Sequence, residues 1–228
     1  MQRTKVLGLC LVALFAMSGL VAAQASAIEF AWHVNGGKLE AGKEKTLTSK
    51  ALGAQVLKTT VIGVKVEIKC TEVSTPTAKI IGGIPGTSLE IVEYKSCTVA
   101  KPAGCTIKGG TITTNPLKDE IVEGVGTSAG KALVLFAPES GKVFAEPKLE
   151  GGFLCLSLAV EGSVLAEAVP QKEEGETGVL KFEPANGKES KGSGGETRKD
   201  GLTVSGSAST VTGEVLTKLS PVEKFGIF

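Results

Sequence analysis

Ser128 stands in Gly126-Thr127-Ser128-Ala129-Gly130, the G-x-S-x-G spacing that presents a nucleophilic hydroxyl when it sits on a tight strand-to-helix turn. Such a serine needs a histidine base and a carboxylate to orient that base. The chain has one histidine, His33, and two aspartates, Asp119 and Asp200. In a nucleophile elbow the histidine follows the serine, and here it precedes it. The order His33, Asp119, Ser128 is the trypsin-like one, but the nine residues from Asp119 to Ser128 leave no room for the second barrel that separates those groups. The residues after the motif, KALVLF, read as a strand and not a helix. The expectation is therefore an exposed glycine-rich hairpin loop and no catalytic residue.

The same segment, Gly124 to Ala132, fails as a nucleotide site. Val125 stands where a P-loop needs its first glycine, and Ala132 replaces the magnesium-binding hydroxyl. Read as a dinucleotide fingerprint it has one residue too many before the last glycine, with no helix following to hold a pyrophosphate. Metal chemistry has few resources: the cluster Glu173, Glu174 and Glu176 reads as a solvated turn, and His33 as a strand residue beside Trp32. No cofactor and no metal are expected. A pair of glutamates could still do acid–base work, because sequence spacing says nothing about which carboxylates meet in a β fold.

What must position these groups is a series of strands. Val64, Val66, Ile68 and Cys70 alternate with Lys65, Glu67 and Lys69, the period of a strand with one wet face. Comparable segments follow, among them Ala78–Ile81, Leu89–Lys95, Cys105–Thr113, Ala132–Phe136, Phe153–Val160, Ser163–Val169 and Val211–Leu219. Glycine pairs punctuate them, as at Gly82-Gly83 and Pro85-Gly86, and no stripe of helical period appears. The expected fold is all-β, a single antiparallel β-sandwich or barrel-like meander of many short strands over residues 28–228. Residues 184–201 carry no large apolar side chain and read as a flexible loop.

The first 27 residues set the compartment. Arg3 and Lys5, an apolar stretch and Ala25-Ser26-Ala27 have the form of a signal peptide. No later apolar run approaches the roughly 20 residues a membrane helix requires, so no transmembrane segment is expected in the mature chain. The mature chain keeps 23 basic residues against 24 acidic ones, and its one arginine, Arg198, leaves little to grip nucleic acid. Few aromatics argue against sugar-binding platforms. The terminal Phe228 on an alternating strand has the look of an outer-membrane barrel end, but lysine and glutamate take most outward positions.

Cys70, Cys97, Cys105 and Cys155 remain after export, and an even number outside the cytoplasm implies two disulfides. Loop entropy does not separate the pairings. A meander that brings strand ends to one pole favours Cys97–Cys105 across a short loop, with Cys70–Cys155 joining distant strands. Cys70–Cys97 with Cys105–Cys155 stays open.

These cysteines, together with ITTNPLKDEI (112–121), GKVFAE (141–146) and FLCLSLAVEGSVLAE (153–167), resemble a family of exported bacterial all-β proteins of unknown function. The shared motifs are structural, so the resemblance implies fold and export and no activity. The functional expectation is a secreted or envelope-associated, non-enzymatic protein that binds an unknown protein or envelope component or serves as a structural part. The alternative is a secreted hydrolase using Ser128 or a glutamate pair.

Overall fold

The structure is a computed structural model that describes residues 30–183, 189–192 and 195–228. The leader read at 1–27 lies outside the described residues, as do 184–188 and 193–194 of the predicted loop. The chain forms β1 (Trp32–Val34), β2 (Gly37–Lys38), β3 (Glu44–Ala51), β4 (Gln55–Val61), β5 (Val64–Ile81), β6 (Thr87–Lys101), β7 (Thr106–Ile107), β8 (Ile112–Thr113), β9 (Leu117–Gly124) and β10 (Ala132–Pro138). It continues through β11 (Val143–Ala145), β12 (Leu149–Glu150), β13 (Val160–Gly162), β14 (Val164–Val169), β15 (Gly178–Phe182), β16 (Glu189–Lys191), β17 (Thr197–Lys199), β18 (Leu202–Val204), β19 (Ser207–Ser220) and β20 (Phe225–Ile227). The only helical pieces among the described residues are two short 3₁₀ turns, at Lys108–Gly110 and Gly126–Ser128.

All pairings are antiparallel, and they close. The ladder β19-β15-β14-β10-β9-β6-β5-β3 returns to its start because β3 also pairs with β19, Ala51 opposite Val215 through Thr46 opposite Ser220. The fold is thus a barrel and not a sandwich. A second, lower ring runs β19-β4-β5-β6-β8-β11-β13-β18 and back to β19, the step from β8 to β11 being made by Thr114 opposite Ala145. Three long strands, β5, β6 and β19, run through both tiers. Where β19 passes from one to the other stands Gly213, at φ 144°, and a Cβ there would strike the buried side chain of Gln55. Closure removes the exposed edges that make open sheets prone to aggregate.

One hydrophobic cluster fills both tiers, from Ile68 and Val204 below to Ile80, Leu117 and Leu219 above. The upper mouth is capped by the small sheet β2-β1-β20, which buries Trp32, Phe225 and Ile227; Trp32 Nε1 donates to the Thr87 carbonyl at 2.9 Å. A second cluster, Val122, Leu133, Leu135 and Leu165, lies on the opposite face of β9, β10 and β14.

The stretch after Phe182 differs from the expectation in its described residues. The composition of 184–201 gives no strand signal, yet β16 and β17 form a hairpin, and Ser190 and Lys191 of β16 pair with Gly124 and Glu123 at the end of β9. The described residues of this stretch, 189–192 and 195–200, lie at the end of β9 on the barrel wall. Polar groups fasten them there. Asp200 accepts hydrogen bonds from Ser190 Oγ at 2.6 Å and Ser163 Oγ at 3.3 Å, and Arg198 Nη2 reaches Glu120 Oε2 at 3.2 Å. Replacing Asp200 with alanine leaves the fully buried Ser190 hydroxyl without its acceptor. The expected cost is about 1–3 kcal/mol, read from urea unfolding with the disulfides intact.

The disulfides are Cys70–Cys97 and Cys105–Cys155, which corrects the preferred pairing. The reason is register. The hairpin at Gly82–Gly86 sets β5 against β6 so that Cys70 falls directly opposite Cys97, with Cα atoms 4.0 Å apart. Cys105 and Cys155 flank β7 and β12, which pair with each other. The segment Phe153–Val160, expected as a strand, is mostly a loop: only Val160 enters a strand, while Phe153, Leu154 and Leu156 project into solvent. Two disulfides suit an oxidising, extracytoplasmic environment. No helix among the described residues is long and apolar enough to cross a membrane.

Candidate functional site

The barrel wall carries one group of residues whose chemistry is out of place in a core. Strand β6 turns Ser88, Glu90, Val92 and Tyr94 inward and leaves Leu89 and Ile91 half-buried on the outside. Its neighbour β9 turns Leu117, Asp119 and Ile121 inward, and register puts Asp119 directly opposite Ser88 and Leu117 opposite Glu90. Two carboxyls and a hydroxyl therefore meet inside an apolar barrel. Ser88 Oγ donates to Asp119 Oδ2 at 2.9 Å, while Oδ1 of the same fully buried carboxyl has no partner. Glu90 is 8% exposed.

Burial dominates the electrostatics. Desolvation pushes the Glu90 carboxyl up to about 7. It raises Asp119 well above the ordinary aspartate value, and repulsion from Glu90 adds to the shift, against the hydrogen bond from Ser88. Desolvation also lifts the Tyr94 phenol, with smaller contributions from the charges of Glu90 and Asp119. No lysine, arginine or histidine lines the cavities that Glu90 faces. A neutral, protonated carboxyl is the physical answer to a buried acid without a cation.

Three small cavities follow the barrel interior. The first, about 40 Å³, lies under the cap between Trp32, Glu90, Phe136 and Phe225. The second, about 20 Å³, is walled by Glu90, Tyr94, Phe136 and Phe144. The third, about 70 Å³, sits in the lower tier beside Tyr94, Phe144, Cys70 and Ile112. Sites for organic ligands span roughly 300–1,000 Å³. The interior is packed by side chains, and Glu90 and Tyr94 stand at the partitions. A larger hollow, about 440 Å³, is a shallow depression at the lower rim, lined by Lys58, Thr60, Lys65, Glu67, Lys101 and Ser207.

The residues singled out for catalysis are dispersed. Ser128 lies in the connection between the antiparallel neighbours β9 and β10, with a strand after it. It is buried, not exposed as expected, because the 3₁₀ turn folds it back onto Gly124, where any Cβ would collide with it. His33 faces away from the core on β1, its ring centroid 4.6 Å from that of Phe228. Asp119 takes its hydrogen bond from Ser88, inside the barrel. Glu174 accepts from the backbone N–H of Gly36 at 2.7 Å and 3.0 Å, bracing the cap. Asp119 was thus singled out by sequence for a different role, and Ser88, Glu90 and Tyr94 were missed. Their one signal was the polar alternate phase of SLEIVEY.

No family model, curated protein or solved structure matches this chain.

Proposed function

We propose that the protein is an exported, disulfide-stapled β-barrel that acts by binding through its outer surface and performs no catalysis. The observation that carries this reading is the barrel interior. Its convergent polar groups, Ser88, Glu90 and Asp119, border only small cavities beneath the Trp32 cap, so a substrate has no volume to occupy beside them. The leader-like first 27 residues and the two disulfides support a place outside the cytoplasm, secreted or held at the cell surface. Nearly balanced charge with one arginine argues against nucleic acid as the partner.

The competing reading is a secreted hydrolase using Ser128 or the Glu90–Asp119 pair. A fluorophosphonate, which labels serines activated by a base and an oxyanion hole, tests the serine route, and entry of an apolar fluorophore beneath Trp32 tests whether a ligand can reach the carboxyl pair. The expected result is no adduct at Ser128. In the same sample an apolar fluorophore should leave the emission of Trp32, the only tryptophan, unchanged, since its indole closes the upper cavity. Stoichiometric labelling at Ser128, abolished by Ser128→Ala and weakened by His33→Ala, would make the protein a hydrolase.

A further inference from the structure

The two ends of the barrel differ. The upper end is closed by the β2-β1-β20 cap, whereas the lower end is made of turns: 61–64 between β4 and β5, 102–105 after β6, 151–157 after β12, and 205–206 between β18 and β19. Antiparallel pairing brings them together. Glu67 near the start of β5 lies opposite Lys101 at the end of β6, Ile107 of β7 pairs with Leu149 of β12, and Ser205 N–H bonds to the Ala159 carbonyl.

Two of these turns hold large apolar side chains out in water. Ile62, at the tip of the β4–β5 hairpin, is 91% exposed. Phe153 is 98% exposed, and Leu154 and Leu156 each 50%. Single exposed apolar residues are ordinary on protein surfaces; four on two turns at one end are not. The Phe153 loop cannot fold them inward, because Cys155 lies in its middle and is tied to Cys105, and the Cys155 N–H closes a turn onto the Gly152 carbonyl. Lysines surround the tips. Lys58, Lys65, Lys69, Lys101, Lys108 and Lys148 stand at this end against Glu67, Glu146 and Glu150, although the mature chain as a whole carries one more acid than base. Three of the six line the 440 Å³ hollow beside Ile62, together with the hydroxyl-bearing Thr60 and Ser207 and with Glu67, whose carboxylate lies 3.9 Å from Lys58 Nζ and 3.3 Å from Lys69 Nζ, so that the lining keeps an excess of positive charge.

Rigid apolar tips within a lysine ring are the chemistry of a surface that enters the boundary of an anionic bilayer: apolar side chains sink below the headgroups and ammonium groups meet the phosphates. We infer that the lower end docks on anionic lipid membranes, with Ile62, Phe153, Leu154 and Leu156 inserted and an anionic headgroup held in the hollow between Lys58, Lys65 and Lys101. This rests on the reading of the protein as a surface binder and names its partner. A second copy of the chain is a poorer occupant, since it would bring lysines against lysines.

The test is co-sedimentation of the oxidised protein with phosphatidylcholine vesicles that contain or lack phosphatidylglycerol. Binding is expected only to the anionic vesicles, weakening as salt is raised. Combining Lys58→Gln, Lys65→Gln and Lys101→Gln should reduce the partition coefficient about 100-fold. Combining Phe153→Ser, Leu154→Ser and Leu156→Ser should reduce it at least about tenfold, with both variants melting at the wild-type temperature. No binding to anionic vesicles overturns the proposal, as does binding that neither variant weakens. A wild-type dimer in velocity sedimentation that the serine variant converts to monomer assigns the tips to self-association and overturns it too. In each of those cases an unchanged Trp32 emission with the apolar fluorophore leaves the broader surface-binding reading standing, whereas quenching or a shift of that emission defeats the broader reading itself.

Discussion

Replacing Glu90 with glutamine will stabilise the protein at pH 8 and change little at pH 4.5. The sign follows from linkage. A carboxyl raised in the folded state, here from an unfolded value near 4.5 to about 7, holds its proton more tightly when folded. Its relative stabilising contribution is complete below pH 4.5, is lost as the pH climbs, and has gone once the pH passes 7. At about 1.4 kcal/mol per pH unit the wild type loses on the order of 3 kcal/mol over that window through Glu90. Asp119, also raised by burial and by repulsion from Glu90, loses its share in the same direction, as the pH climbs above the ordinary aspartate value. No cation lines the cavities that Glu90 faces to offset either charge. Glu90→Gln keeps the shape and removes the ionisation, so the difference between variant and wild type isolates this residue from the exposed carboxylates. Urea unfolding at pH 4.5, 6 and 8 measures it. Equal stability of the two proteins at pH 8 would show that Glu90 reaches water or a partner when ionised.

Removing the disulfides will have an effect of similar or larger size. Cys70–Cys97 spans 27 residues and Cys105–Cys155 spans 50, and in the chain-entropy account the two closures contribute about 3.5 and about 4 kcal/mol. Small domains hold only about 5–15 kcal/mol in all. Cys70→Ser with Cys97→Ser will lower global stability, but its neighbours Lys69–Thr98 and Glu72–Lys95 keep the β5–β6 register. Cys105→Ser with Cys155→Ser acts where β7 and β12 have only two residues each, so the Phe153 loop will lose protection from amide exchange before the barrel unfolds. A non-reduced peptide map will show Cys70 linked to Cys97 and Cys105 to Cys155; a Cys97–Cys105 peptide would contradict the register of the long hairpin.

The strands of the barrel show how far a two-residue period carries. In Val64–Cys70 the apolar phase is the buried phase, because the other face meets water, and the sequence alone assigns both faces correctly. In Ser88–Tyr94 the rule inverts. Leu89 and Ile91 look like the core phase, yet Ser88, Glu90, Val92 and Tyr94 point inward. The phase of β6 is imposed by its ladder with β5, where Tyr94 lies opposite Val73 and Cys97 opposite Cys70, and a one-residue slip would turn every side chain over. The Glu90–Asp119 pair was therefore invisible: its members are 29 positions apart and meet only when β9 docks on β6.

The amino-acid sequence by itself determined the class of this protein: its strand-length alternation without helical stripes, and its even number of cysteines after residue 27. Those properties are local, written in neighbouring residues and in composition. The tertiary structure alone decided that the sheet closes, that Cys70 pairs with Cys97, that Ser128 is folded inward, that residues 189–191 join the end of β9, and that Ile62 and Phe153 share one end with six lysines. Each depends on which strand lies beside which and in what register, and hydrophobic period constrains the face of a strand without naming its neighbour.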